Sequence, residues 1–201
     1  LKILKSKPRI VSSSSSILAL ANPSNNREKL QKLPFAEKEV QAISRYFKDI
    51  RTLSGPAATV DLLKKEIHSY DIIHIAAHGD YNRSHPLDSS IYLAQTRNDL
   101  GVLKVRDIRN VATDASLVTL SACESGVVNT KGAGITNGFN SAFIKAGAST
   151  VVSSLWRISD VSSAVVMKRF YRSLSSRVSK AESLREAQIV TMKYFKHPAF
   201  W

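Results

Sequence analysis

Cysteine is nearly absent from this chain, with one residue, Cys123, in 201. No intrachain disulfide is possible, and a thiolate-built metal cluster would have a single ligand. A solitary thiol suits a reducing compartment, so the expected location is cytoplasmic. Long apolar runs are also missing. None approaches the roughly 20 residues that a membrane helix needs, so no membrane partner is expected. Residues 1–16 have neither the apolar core of a secretory signal nor a small-residue cleavage site. Repeats of solenoid length are absent as well. Acidic residues are scarce: 16 Asp and Glu stand against 29 Lys and Arg, a formal charge of +13. Such a surplus attracts acidic partners in general. The basic residues are scattered, however, and no helix-turn-helix, zinc finger or aromatic RNA platform accompanies them. Specific nucleic-acid recognition is therefore not expected. What is present is ordinary for a globular domain: 43% of the residues are apolar, enough to bury a core.

Strand and helix patterns alternate along the chain. Residues 1–16, with their serine run, read as a linker or the end of an upstream element. Residues 17–21 are a short apolar strand closed by the turn cluster Asn22-Pro23-Ser24-Asn25-Asn26. Phe35, Val40, Ile43 and Phe47 form a helical stripe over 34–47. Leu62, Leu63 and Ile67 form another over 59–70, with Thr59 as N-cap. Residues 71–77, 116–122 and 149–155 are nearly continuous apolar runs, as in strands covered on both faces. Further helices are expected over 135–146, 161–174 and 181–195. Residues 80–110 are less regular, with a short strand at 91–93 and a short helix at 105–108. This alternation implies right-handed crossovers and a mainly parallel sheet with helices on both faces, an α/β fold.

In an open parallel sheet, ligands bind beyond the carboxyl ends of the strands. The run 71–77 leads into His78-Gly79-Asp80, and the run 116–122 into Cys123-Glu124-Ser125-Gly126. Where those strands are neighbours, an imidazole and a thiol face each other at that edge. A thiol with a pKa near ~8.5 is mostly protonated at neutral pH, and a nearby imidazole takes its proton. Gly79 lets a substrate carbonyl come close to backbone N–H groups. Those of Gly79 and Cys123 are candidates for an oxyanion hole.

Other readings stand beside this one. A free cysteine after an apolar strand is more often an inert small hydrophobe. His74, inside the apolar run, reads as a core histidine. His74 and His78 share the H-x-x-x-H spacing of helical metal ligands, but the segment reads as a strand, so neither metal nor cofactor is expected. Gly132, Gly134 and Gly138 do not directly follow a strand and lack the acidic ribose partner of a nucleotide loop. Asp160, just past the third buried run, is either a partly buried carboxylate for a substrate cation or the N-cap of the helix starting near Val161.

Several stretches match one family in order and spacing. They are Asp71-Ile72-Ile73-His74-Ile75-Ala76-Ala77-His78-Gly79 and Leu117-Val118-Thr119-Leu120-Ser121-Ala122-Cys123-Glu124-Ser125-Gly126. Shorter matches are Leu33-Pro34-Phe35-Ala36-Glu37-Lys38-Glu39-Val40, Ala146-Gly147-Ala148, Ser153-Ser154-Leu155-Trp156, Met167-Lys168-Arg169-Phe170-Tyr171 and Leu184-Arg185-Glu186-Ala187-Gln188. From residue 17 onward the chain resembles the CHAT domain, a caspase-like peptidase domain usually found beside tetratricopeptide repeats. The resemblance implies a three-layer α/β/α sandwich and a Cys–His dyad that maps onto Cys123 and His78. The third group that orients the histidine varies among such enzymes, and no residue is assigned to it. A cysteine endopeptidase is implied, acting on a protein substrate and switched on by a regulatory partner or an upstream repeat domain. Separase-like relatives use an acidic pocket at a corresponding loop, which points to Asp160 and to cleavage after Arg or Lys.

The chain departs from the family at three places. Gly132-Ala133-Gly134 stands where Gly-Glu-Gly is common, and Arg157 where a proline or an acidic residue often follows the tryptophan. Family members also usually continue into one more strand past Trp201, so residues 17–201 are expected to be a peptidase domain cut from a larger protein. Two alternatives remain: a catalytically silent binding module of the same fold and, from charge and glycines alone, a nucleic-acid or nucleotide-binding domain.

Overall fold

Strands that are apolar on both sides must be covered on both sides, and helices do the covering here. The computed structural model describes residues 10–25, 27, 30–121, 138–156 and 158–201. Cys123, Gly132, Gly134 and Arg157 lie outside the described residues. In chain order the strands are β1 (Ile17–Pro23), β2 (Ile50–Gly55), β3 (Ile72–Ala76), β4 (His78–Asp80), β5 (Ser90–Tyr92), β6 (Val102–Lys104), β7 (Leu117–Ser121) and β8 (Val151–Ser153). The helices are α1 (Pro34–Ile43), α2 (Val60–Glu66), α3 (Val105–Ile108), α4 (Phe139–Ala146), α5 (Asp160–Ser175) and α6 (Lys180–Tyr194). The central sheet has the order β2-β1-β3-β7-β8 and is parallel throughout.

Successive side chains of a strand point to opposite faces. Leu18, Leu20, Ile73, Ile75, Val118 and Leu120 pack on one face against Leu63, Ile108 and Phe143 of α2, α3 and α4. Ile17, Ala19, Ile72, Ala76 and Leu117 pack on the other against Val40 and Ile43 of α1, Phe170 and Leu174 of α5, and Ala187 of α6. The result is the three-layer α/β/α sandwich that the pattern of buried runs predicts. No helix among the described residues is long and apolar enough to cross a membrane.

Several features depart from the sequence reading. The run 149–155, read as covered on both faces, is the half-buried edge strand β8. β2 is an edge strand in which Leu53 alone is fully buried, so it carries no apolar run. Residues 80–110 are more ordered than expected, because β4, β5 and β6 form a separate antiparallel sheet. In α1 the buried face is Ala36, Glu39, Val40 and Ile43. Phe35 is only half-buried and lies under the Lys38 ammonium, 4.5 Å from its ring centre.

Helix ends follow their local chemistry. Pro34 occupies the first turn of α1, where its missing N–H costs nothing. The Thr59 hydroxyl accepts the Leu62 N–H at 3.2 Å and caps α2, as its position predicts. Gly147 ends α4 with φ +119°, and a Cβ there would lie 2.0 Å from the Thr113 carbonyl oxygen. Neither condition tolerates a side chain, which accounts physically for Ala146-Gly147-Ala148. Gly147→Ala is therefore expected to destabilise the domain by about 1–3 kcal/mol or more in denaturant melts. An unchanged midpoint would contradict this geometry.

Candidate active site

The register of the sheet sets the site. β3 and β7 are adjacent and parallel, with Ala76 opposite Ser121. In sequence, His78 lies two residues past Ala76 and Cys123 two residues past Ser121. After Ala76 the chain enters the second sheet, where His78 opposes Tyr92 and Gly79 opposes Ile91. The backbone of His78 is thus held by β5. Its ring is held by a different segment: Nε2 lies 2.6 Å from the Gln31 carbonyl oxygen. A carbonyl can only accept, so Nε2 carries the proton, and Nδ1 is the basic nitrogen of the neutral ring. Gln31 orients the His78 ring, a contact that the sequence did not indicate. It acts through its backbone, so no residue type marks it in advance.

A cavity of about 400 Å³ opens beside the ring, lined by Asn22, Asn25, Gln31, Leu33, His78 and Tyr92 among others. It lies by the carboxyl ends of β1 and β3. Chain order reverses between these strands, and open α/β sheets bind ligands at such a point. A second cavity of about 390 Å³ follows β8, with Val152, Ser154, Trp156, Met167 and Trp201 in its walls.

Asp160 is the first residue of α5, and Ser159 is the N-cap. The expected cap for a helix near Val161 is therefore displaced by one residue. The carboxylate instead serves the neighbouring helix: Oδ2 accepts the Phe35 backbone N–H at 3.0 Å. Leu33, the N-cap of α1, makes no side-chain cap of its own. Asp160 thus stands at the positive ends of two helices, a favourable place for an anion. Burial nevertheless pushes its carboxyl above the ordinary aspartate value, and the Glu39 charge adds to this, while the Phe35 N–H and His78 oppose it. Asp160 and His78 therefore share one electrostatic neighbourhood.

Beneath the strand ends runs a buried polar column that sequence reading found only in part. His74 is fully buried, as its place in an apolar run predicts. Its Nδ1 lies 3.1 Å from the Tyr171 hydroxyl, which donates to Thr119 Oγ1 at 2.9 Å. Burial raises the Tyr171 hydroxyl pKa far above the usual tyrosine range. His74 Nε2 lies 2.9 Å from Glu39 Oε1. Glu39 Oε2 accepts from Ser121 Oγ at 3.2 Å, and Ser121 Oγ lies 2.7 Å from Ser163 Oγ. Glu39 had a signal in the sequence: it falls three residues after Ala36 and four before Ile43, on the apolar stripe of α1.

Layers, strand order and the edge position of the site define a caspase-like α/β/α sandwich. The family is plain from the sequence as well: the CHAT domain model matches residues 2–201, and the chain belongs to that family. Among solved structures it is similar to the complex of Porphyromonas gingivalis RgpB pro- and mature domains, with a TM-score of 0.61 and 10% identity. The match covers 96% of this chain and 46% of that one, so this chain spans less than half of the other's length. At that identity the likeness is one of fold. No curated protein matches the chain in sequence.

The state of Asp160 leaves a mark on stability. Because the fold disfavours its charge, the native chain holds this proton to higher pH than the unfolded chain does. The contribution of Asp160 is fully present below the ordinary value of 3.8 and is lost as pH rises through its raised value. Asp160→Asn keeps an acceptor for Phe35 and removes the titration. Its melting temperature should therefore gain on that of the native protein as pH rises above 3.8. A difference that is constant with pH, or that shrinks, would contradict the assignment.

Proposed function

We propose that this chain is a cysteine endopeptidase in which Cys123 attacks the substrate and His78 is its base. The observation that carries the proposal is the His78 ring. It is held through Nε2 by Gln31 at the end of a strand whose parallel neighbour leads, in sequence, to Cys123. Membership of the CHAT family points the same way. With Nε2 engaged, Nδ1 takes the thiol proton and the thiolate attacks the scissile carbonyl carbon. The Gln31 carbonyl then stabilises the resulting imidazolium through a charge-assisted hydrogen bond. Developing charge on the substrate oxygen is met by the N–H groups of Gly79 and Cys123. The imidazolium returns its proton to the leaving amine. Water, deprotonated by the same ring, then hydrolyses the thioester and frees the thiol.

The proposed specificity is cleavage after Arg or Lys, with Asp160 as the pocket acid. A half-buried carboxylate whose charge the fold disfavours gains from a cation. A guanidinium supplies both charge and paired N–H donors. Its bond to Phe35 occupies Oδ2 and leaves Oδ1 as a separate acceptor. A protein substrate, and activation by a regulatory partner or neighbouring domain, belong to the same proposal through the family.

Cys123→Ala and His78→Ala are each expected to lower peptide cleavage by about 10³-fold or more while leaving the melting temperature nearly unchanged. His74→Ala should instead lower stability. It takes a buried ring from between Tyr171 and Glu39 and costs about 1–3 kcal/mol of stability. Cleavage that persists in folded Cys123→Ala would sink the proposal. For specificity, a peptide library should show Arg or Lys enriched before the cut, and Asp160→Ala should erase that enrichment by more than it lowers stability. Cleavage after acidic or large apolar residues would rule out Asp160 as the pocket.

A further inference from the structure

We propose that Glu39 is a positioning residue for the nucleophile's strand, and that α1 sets both halves of the dyad from a single element. The catalytic consequence rests on the Cys–His reading above, whereas the tether itself does not.

Glu39 is 1% exposed on a helix face otherwise made of Ala36, Val40 and Ile43. An apolar residue would fill that position without needing partners. A buried carboxylate is costly unless it is paired and hydrogen-bonded. What it adds over apolar packing is direction. One oxygen meets His74 on β3, and the other accepts from Ser121 on β7. Glu39 thus bridges two adjacent strands near the last described residue of β7. Ser121 is the last described residue of β7, two before Cys123 in sequence. Ser163 of α5 closes on the same hydroxyl at 2.7 Å.

The other end of α1 acts on the histidine. Gln31, three residues before Pro34, holds the His78 ring through its carbonyl. Asp160 fixes the first turn of α1 by accepting the Phe35 N–H. The lead-in of α1 therefore orients the imidazole while its buried face holds the end of β7. A shift of α1 moves both together. A displacement of about 1 Å at this distance from the chemistry costs up to ~10²-fold in rate.

Ser121→Ala removes the tether but leaves the Glu39–His74 pair in place, so it stays folded even where Glu39→Gln does not. Three readouts apply to both variants, each compared at equal folded fraction. Amide exchange at residues 118–121 should speed up about tenfold or more, with residues 18–20 of β1 unchanged. The pH profile for alkylation of Cys123 by iodoacetamide should move toward that of a free thiol, near ~8.5. Peptide kcat/KM should fall about 10- to 100-fold, mainly in kcat, and Ser121→Thr should restore it. Wild-type exchange together with a wild-type alkylation profile in folded Ser121→Ala would overturn the proposal. If Cys123 of the native protein already titrates as a free thiol and no peptide is cut, the dyad reading fails. Exchange at β7 then decides the tether by itself: unchanged exchange overturns it, and faster exchange sustains it.

Discussion

A parallel register between β3 and β7, with Ala76 opposite Ser121, sets the two neighbouring positions from which the sequence runs on to His78 and to Cys123. That pairing exists because each strand hides two apolar faces, and only a central place in a covered sheet satisfies both. Alternation then divides the strands' side chains. Ile73, Ile75, Val118 and Leu120 go to one layer, and Ile72, His74, Leu117 and Thr119 to the other. The placement of the candidate site therefore follows from core packing. The second sheet adds the turn that takes His78 out of the main sheet and pairs it with Tyr92.

The layer that contains α1 and α5 carries polar groups through a buried core. Tyr171, His74, Glu39, Ser121 and Ser163 follow one another within hydrogen-bond or charge-contact distance. Such a column is costly when incomplete and rigid when complete. It passes through Ser121, the last described residue of β7, and the helix that supplies its carboxylate is preceded by the carbonyl that holds His78. Structural polarity and site geometry therefore share one helix.

Much of this was legible in the residues, for reasons that differ by element. The buried strands showed as apolar runs and the helices as stripes, because burial on one or both faces constrains composition. β2 did not show, since an edge strand with a single fully buried residue, Leu53, has no such constraint. The short strands β4 and β6 pair three residues each and leave little pattern. At the site, His78 was visible through its position past a strand, whereas Gln31 acts through a carbonyl common to every residue. Asp160 was visible as an acid in the right segment. Its partner Phe35 lies 125 residues away, so its service to another helix could not be read from local sequence. Glu39 was not singled out, although a charge on an apolar stripe is a conflict between levels that marks residues retained for more than packing.

The central claim is that Cys123 is a nucleophile activated by His78. The most direct measurement is the rate and site of covalent inactivation by a peptidyl chloromethylketone ending in arginine, followed by mass mapping. The account predicts one adduct per chain, on Cys123, with inactivation largely lost in His78→Ala. An adduct on another residue, or equal rates for the native protein and folded His78→Ala, would contradict it.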